Sequence, residues 1–310
     1  MSEASVRLGL VGLGKIAHDQ HLPAIGGDSR YRLVATADPA ASLPDVPSFP
    51  DLDAMLAADV ALDAVVLCTP PRIRASLARR ALAAGLHVML EKPPAASVLQ
   101  AQALADGAAS AGLTLFAAWH AREAAGVDEA RRLLAGRPVA HVEIVWREDV
   151  RIWHPGQDWI FDAGGFGVFD PAINGLSVAS AILPGRLEVE AATLHFPENR
   201  EAPIAASLAM RLDGGVPVSA EFDFLHEGTP EWSITVRSDA GLLELTAGGS
   251  RLSVDGVAVG TGEDVEYRRL YDRFARLISG KTSDVDLAPL ALVADAFMIA
   301  RIHRAASFVF

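Results

Sequence analysis

A glycine-rich turn near the start of the chain has the spacing of a dinucleotide site. Gly12 and Gly14, followed by Ala17, give the pattern G-x-G-x-x-A directly after an apolar run. The first glycine permits a tight turn, the second lets the backbone approach a pyrophosphate, and the alanine allows close packing of helix on strand. Lys15 and Ile16 begin the helix whose N–H groups would face the phosphates. Any tight strand-to-helix turn can use glycines, but this context favours a dinucleotide that accepts hydride.

Asp38 ends the next apolar strand, where a carboxylate can accept hydrogen bonds from ribose hydroxyls. It would repel a 2′-phosphate, and no arginine follows Pro39 to clamp one, so we expect NAD in preference to NADP. The alternative is that Asp38 only begins a turn. Thr69 and Pro70 close a further strand at the carboxyl edge of the sheet, where they contact the nicotinamide half or simply stop the strand.

Lys92 follows Glu91 at the end of another strand and precedes Pro93, so both charged residues are candidate cofactor contacts. A cation here could stabilise charge that develops on an oxygen of the reacting carbon. Desolvation would lower the pKa of Lys92 and let it relay a proton. A surface lysine paired with Glu91 explains the spacing equally well.

Asp170 and Asn174 are four residues apart at the start of a predicted helix, so they share one face. A carboxylate on that face could act as a general base, with the amide as its aligning partner. Capping of the helix by Asp170 is the simpler explanation, because Pro171 suits the first helical turn.

These residues must be positioned by two different architectures. Up to about residue 120, apolar runs alternate with helical patterns, which predicts βαβ units and a doubly wound parallel sheet, the Rossmann arrangement. The predicted strands are Val6–Val11, Tyr31–Ala37, Ala64–Cys68, His87–Leu90 and Leu113–Ala118, and the helices begin near Lys15 or cover Asp51–Ala58, Ile73–Ala84 and Ser97–Ala111.

Beyond Trp119, long β-like runs succeed one another, which predicts an α+β domain with a large, mostly antiparallel open sheet. We therefore expect a dinucleotide-binding domain over residues 1–120 and a substrate-binding and oligomerisation domain over residues 121–310. The predicted strands are Val139–Trp146, Glu188–Phe196, Ile204–Leu212, Val216–Phe224, Trp232–Ser238, Leu242–Thr246 and Leu252–Val259, with helices over Asp128–Ala135, Asp170–Leu183, Glu266–Ser279 and Leu287–Ala306.

Composition excludes several classes of function. The 310 residues are 51% hydrophobic and 21% charged, which suits two globular domains. A formal charge of −12 argues against nucleic acid and anionic membranes as partners. The single cysteine, Cys68, cannot form an internal disulfide, and no histidine spacing indicates a metal site. Without a signal peptide or an apolar run of about 18 residues, we expect a cytoplasmic location.

Four segments and the Thr69-Pro70 pair together resemble the glucose-fructose oxidoreductase / inositol dehydrogenase (Gfo/Idh/MocA) family along nearly the whole chain. Within it, the sequence is most similar to bacterial aldose 1-dehydrogenases, which oxidise D-galactose or L-arabinose. The four segments are Gly14–Ile25, His87–Pro94, Trp153–Gln157 and Gly164–Asn174.

The resemblance implies NAD(P)-dependent oxidation of an aldopyranose, such as D-galactose, L-arabinose or D-fucose, at C1 to its lactone. It implies that Lys92 binds the C1 oxygen. Much of the family carries an acid/base histidine where this chain has Asn174, and asparagine cannot take a proton at neutral pH. The resemblance therefore moves the general base to Asp170, with Asn174 aligning the C1 hydroxyl. No metal is implied.

Further side chains are candidate sugar contacts. By resemblance, Glu148 and His154 would hold the hydroxyls away from C1, and the indole of Trp153 could meet the C–H surface of the ring. His120, at the predicted domain junction, and Trp232, on a sheet strand, are weaker candidates. Without the resemblance, a lone Glu or His is usually a solvated surface group.

Other functions remain compatible with the sequence. The same family includes regulators, so a non-catalytic sensor of sugar or dinucleotide is one alternative, and an NAD-dependent lyase or glycosidase is another. The predicted second sheet has one face to cover, as the alternation at Val216, Ser219 and Glu221 indicates, so we expect a homo-oligomer formed through it.

Overall fold

The computed structural model describes residues 5–263 and 265–310. These residues form two compact units. The first consists of the described residues up to Ala118 together with Tyr267–Leu287, and the second of the described residues from Trp119 to Glu266 together with Ala288–Phe310. The predicted single boundary at residue 120 therefore assigns residues 267–287 to the second domain, whereas they belong to the first unit.

Six strands of the described chain form a parallel sheet in the first unit. Its strand order, β3-β2-β1-β4-β5-β6, reverses direction between β1 and β4 and confirms the predicted doubly wound fold. The strands are β1 (Val6–Val11), β2 (Tyr31–Ala37), β3 (Ser48–Phe49), β4 (Ala64–Leu67), β5 (His87–Glu91) and β6 (Leu115–Ala118).

Helices connect these strands, and their boundaries follow local capping chemistry. The side chains of Asp51 and Ser97 accept hydrogen bonds from backbone N–H groups and begin two helices, while Gly112 ends one in the left-handed conformation. The helix predicted from about Lys15 begins there, passes through a π-helical turn over Ala17–His21 and continues as an α-helix. The helices are α1 (Leu22–Gly26), α2 (Leu52–Ala57), α3 (Pro71–Ala83) and α4 (Val98–Ala111).

The central strands of this sheet are buried because helices cover both of its faces. Every residue of β4 and the apolar side chains of Leu8 and Leu10 on β1 are inaccessible to solvent. A later helix, α8 by its place in the chain (Glu266–Gly280), adds Tyr271 and Phe274 to the same core.

The second unit contains a sheet of nine described strands, in the order β14-β13-β12-β11-β7-β10-β9-β8-β15. The pairs β7–β10 and β8–β15 are parallel and the other pairs are antiparallel, which confirms the predicted α+β class. The strands are β7 (Val139–Arg147), β8 (Leu187–Pro197), β9 (Ala205–Leu212), β10 (Val216–Asp223), β11 (Glu231–Ser238), β12 (Gly241–Thr246), β13 (Arg251–Val254), β14 (Val257–Thr261) and β15 (Arg301–Ala305).

One face of this sheet carries the core of the second unit. Alternate residues of β9 and β10 are buried, and the long α7 helix is buried along most of its length. The remaining helices of this unit are α5 (Val127–Leu134), α6 (Val150–Trp153), α7 (Phe169–Ile182) and α9 (Ala288–Ile299). None of the described helices is both long enough and apolar enough to cross a membrane.

The end of the chain differs from its prediction. A single helix was expected over Leu287–Ala306, but α9 ends at Ile299, and the next residues form β15. The strand pairs in parallel with β8, matching Arg301 to Thr193 and Ala305 to Pro197. The free edge of the sheet offers backbone partners that a helical pattern does not reveal, so tertiary pairing overrides local propensity.

Candidate active site

The turn after β1 has the geometry that a dinucleotide needs. Gly12 has a φ of +91°, and a Cβ there would stand 3.0 Å from the backbone carbon of Cys68. Gly12 is therefore fixed by the protein's own packing. A Cβ at Gly14 would meet nothing within 4 Å, so the packing of the protein does not itself require a glycine there, and the space beside it is open.

Asp38 stands beside this turn and takes part in it. Its Oδ2 accepts a hydrogen bond from Leu13 N at 2.8 Å, and its Oδ1 accepts from the N–H groups of Ala40 and Ala41. Burial raises the pKa of Asp38, but these hydrogen bonds outweigh it and leave the pKa below its ordinary value. The carboxylate is thus charged, begins the turn, and keeps a lone pair for a ribose hydroxyl.

Thr69 follows β4 at the carboxyl edge of the sheet. Its Oγ1 is buried and has no hydrogen-bond partner within the described part of the chain. A buried hydroxyl without a partner indicates a missing ligand or water, because such groups are nearly always satisfied. Together with the open space at Gly14 and the charged Asp38, it fits an NAD-type dinucleotide.

Arg74 organises this edge, and the sequence analysis did not single it out. The guanidinium is almost wholly buried and donates hydrogen bonds to the carbonyl oxygens of Thr69, Glu91 and Pro93. It thereby ties the turn after β4 to the turn after β5. The available signal was an arginine on the apolar face of α3, where a charge needs buried partners.

Glu91 ends β5 and is buried, with 3% of its surface exposed. Its Oε1 accepts a hydrogen bond from the Tyr267 hydroxyl at 2.7 Å, and its Oε2 accepts from the backbone N–H of Lys92 at 2.9 Å. The carboxylate therefore holds the turn that carries Lys92. Glu91 is therefore not a surface carboxylate, which the alternative explanation of this spacing assumed.

In the second unit, three of the candidate residues form one hydrogen-bonded cluster. Glu148 follows β7, and its buried carboxylate accepts from His154 Nε2 at 3.0 Å and from Trp232 Nε1 at 2.8 Å. β11 pairs with β7 in a register that sets Trp232 opposite Trp146, which explains why the indole reaches Glu148.

Asp170 lies beside this cluster. Its Oδ2 is 3.9 Å from His154 Nδ1, and only 5% of the residue is exposed. The N-cap of α7 is Val168, so Asp170 lies within the first turn of the helix rather than capping it. Asn174 is one turn further on, and its buried Oδ1 has no hydrogen-bond partner among the described residues. The Asp170 carboxylate, the His154 imidazole and the unsatisfied amide oxygen of Asn174 therefore lie in one unit.

The remaining candidates lie in the same unit. Trp153, at the end of α6, packs edge-on against Trp232 with ring centroids 4.8 Å apart and stays 42% exposed. An exposed indole beside buried polar groups suits the C–H surface of a hydroxylated ring. His120 Nδ1 lies 2.5 Å from Glu266 Oε2.

Known proteins resemble this chain both in sequence and in fold. Residues 6–119 match the family model described as "Oxidoreductase family, NAD-binding Rossmann fold". A galactose 1-dehydrogenase from Pseudomonas fluorescens is 46% identical over 295 residues, which cover 95% of each chain. The chain belongs to the Gfo/Idh/MocA oxidoreductase family.

Comparison with solved structures extends the likeness to the whole fold. A D-galactose-1-dehydrogenase from Rhizobium etli superposes with a TM-score of 0.94 at 46% identity, over 100% of this chain and 99% of that one. A 3-ketoreductase from Actinomadura kijaniata, solved with NADP, gives a TM-score of 0.82 at 19% identity, over 97% of this chain and 99% of that one. The second likeness shows the fold alone.

Proposed function

We propose that the protein is an NAD-dependent aldose 1-dehydrogenase that oxidises D-galactose, and with it L-arabinose and D-fucose, to the corresponding lactones. The observation that carries the proposal is the 46% identity to a galactose 1-dehydrogenase across 95% of both chains. The three sugars share ring stereochemistry and differ only in the substituent at the carbon that carries the exocyclic group, so one pocket can accept them.

The reaction removes a hydride from C1 and a proton from the anomeric hydroxyl. Bound NAD⁺ supplies the hydride acceptor at its nicotinamide ring. The protein must then hold the sugar, take the proton and stabilise charge on the C1 oxygen.

We assign the proton to Asp170. Its carboxylate is nearly buried, and the imidazole of His154 lies beside it, with Nδ1 3.9 Å from Asp170 Oδ2. Asn174 stands where much of the family carries its acid/base histidine. The unsatisfied Oδ1 of Asn174 supports a role in accepting a hydrogen bond from the C1 hydroxyl. Lys92 is assigned to the C1 oxygen, where a cation stabilises the developing negative charge.

Glu148, His154, Trp232 and Trp153 are assigned to the hydroxyls and the C–H face of the sugar. The hydrogen bonds that Glu148 accepts from His154 and Trp232 orient its carboxylate, which keeps further lone pairs for ligand hydroxyls. Preorganised polar groups of this kind bind a sugar without losing side-chain entropy on binding.

NAD is the preferred cofactor in this proposal. The support is the charge of Asp38, which the backbone hydrogen bonds of its own turn maintain. A fixed carboxylate can accept from a ribose hydroxyl and repels a 2′-phosphate.

A panel of aldoses and polyols, each assayed with NAD⁺ and with NADP⁺ by the absorbance of the reduced nicotinamide, tests the proposal. We expect the highest kcat/KM with D-galactose and NAD⁺. No reduction with any sugar would favour a sensor or a lyase or glycosidase instead, and a strong preference for NADP⁺ would refute the role given to Asp38.

A further inference from the structure

A buried polar network lies under the turn that carries Lys92. Its centre is His21, at the end of the π-helical turn, which has no exposed surface. His21 Nε2 is 3.1 Å from Glu91 Oε1, and His21 Nδ1 is 2.9 Å from the Tyr271 hydroxyl. The rings of Tyr267 and Tyr271 pack edge-on against the imidazole.

Glu91 joins this network to Lys92. The same Oε1 that faces His21 accepts from the Tyr267 hydroxyl at 2.7 Å, and Oε2 accepts from the Lys92 backbone N–H at 2.9 Å. Three separate elements, the π-helical turn, β5 and α8, therefore meet on one carboxylate. These contacts fix the orientation of the carboxylate group and of the Lys92 peptide that follows it.

The network is charged. Burial alone lowers the pKa of His21, but the neighbouring Cys68 and Glu91 outweigh it and raise that pKa to about 10. Because a carboxylate can only accept, His21 Nε2 donates to Glu91. Replacing a buried ion pair by apolar side chains of similar volume is often neutral or stabilising, so stability alone does not explain this pair.

We propose that His21 and Tyr267 are positioning residues that fix the Glu91 carboxylate and, through it, the turn that places Lys92 on the C1 oxygen. The inference rests on the proposed function, since it needs Lys92 to contact the reacting carbon's oxygen. Without either donor the carboxylate can rotate, and the Lys92 peptide loses its fixed acceptor. A misplacement of about 1 Å at a reacting group can cost about 100-fold in rate.

The sharpest variant is Tyr267→Phe, which removes a single hydroxyl from the network. Its matched control is Tyr31→Phe, because Tyr31 lies in the same core and donates to the backbone carbonyl of Tyr271, not to Glu91. We expect Tyr267→Phe to lower kcat for D-galactose at least about tenfold with an unchanged Kd for NADH. Tyr31→Phe should keep kcat within about twofold even where the melting temperature falls equally.

His21 is tested by a pair of substitutions. His21→Leu removes the donor to Glu91, whereas the amide of His21→Gln can still donate to it. We expect His21→Leu to lose kcat as Tyr267→Phe does and His21→Gln to recover part of it. A merely structural role would change the melting temperature without this rescue.

The variant Lys92→Ala distinguishes a failure of the proposed function from a failure of the positioning role alone. Near-normal turnover in Lys92→Ala would refute the role of Lys92 and so the proposed chemistry. An inactive Lys92→Ala beside normal kcat in both Tyr267→Phe and His21→Leu would overturn the positioning role alone. If His21→Leu does not fold, Tyr267→Phe against Tyr31→Phe decides.

Discussion

At the scale of single residues, the proposed proton transfer depends on Asp170. The carboxylate is buried beside His154, and Asn174 lies one turn further along the same helix. An amide cannot take a proton, so the reaction needs a base elsewhere, and Asp170 is the group on the same helix face that can serve.

Asp170→Asn tests this assignment, because it keeps the shape of the side chain and removes its basicity. We expect kcat with D-galactose to fall at least about 100-fold while the Kd for NADH is unchanged. Asp158→Asn is the matched control, since Asp158 is exposed and pairs with Arg200. Near-normal turnover in Asp170→Asn would remove Asp170 from the mechanism.

Glu148→Gln tests the sugar cluster. Glutamine offers one acceptor oxygen where the carboxylate now accepts from both His154 and Trp232. One lost charge-assisted hydrogen bond is worth about 1.5–3 kcal/mol, so we expect KM for D-galactose to rise at least about tenfold with an unchanged KM for NAD⁺. Glu143→Gln, an exposed change on the same strand, should leave both constants unaltered. An unchanged KM in Glu148→Gln would separate this cluster from sugar binding.

At the scale of elements, the two glycines of the first turn have separable roles. Gly12→Ala forces a Cβ into a φ of +91° and against the Cys68 backbone, so we expect a loss of about 1–3 kcal/mol in the free energy of unfolding. Gly14→Ala meets no protein atom, so we expect normal stability and a weakened Kd for NADH. Denaturant unfolding and NADH fluorescence measure the two quantities. Equal effects of both variants on stability would contradict this division.

The buried network that joins the π-helical turn, β5 and α8 predicts a pH dependence of stability. The groups that face His21 are Cys68, Glu91, Tyr267 and Tyr271. Because the pKa of His21 rises from 6.5 unfolded to about 10 folded, the folded state holds an extra proton between these values. Its stabilisation is complete below pH 6.5 and is lost as the pH rises towards about 10. The difference in free energy of unfolding between wild type and His21→Gln should shrink over that range, and a constant difference would contradict it.

The sequence predicted the elements whose signals are local and missed those that depend on distant partners. Val6–Val11 matches its strand to the residue, because a buried apolar run followed by a glycine turn is unambiguous. The C-terminal strand was missed because only the free edge of β8 makes Arg301–Ala305 extended. His21 was missed because its buried partners Glu91 and Tyr271 lie 70 and 250 residues away. Arg74 was missed because its carbonyl partners, 5 to 19 residues away, converge only once the two turns are folded side by side.

At the scale of the whole molecule, the family and both fold classes followed from sequence, whereas the return of 267–287 to the first unit did not. That segment brings Tyr267 and Tyr271 to Glu91 and His21. The homo-oligomer expected through the second sheet stays a prediction, which light scattering of the purified protein would check. A monomer at micromolar concentration would contradict it.

Oxidation of an aldose at C1 can be followed by isotope transfer from the sugar to the nicotinamide. D-galactose deuterated at C1 is incubated with NAD⁺ and the purified enzyme, and the products are examined by NMR. The account predicts deuterium at C4 of the reduced nicotinamide, formation of the galactonolactone and a primary isotope effect on the chemical step. Reduced cofactor without deuterium, or deuterium released to solvent, would contradict it.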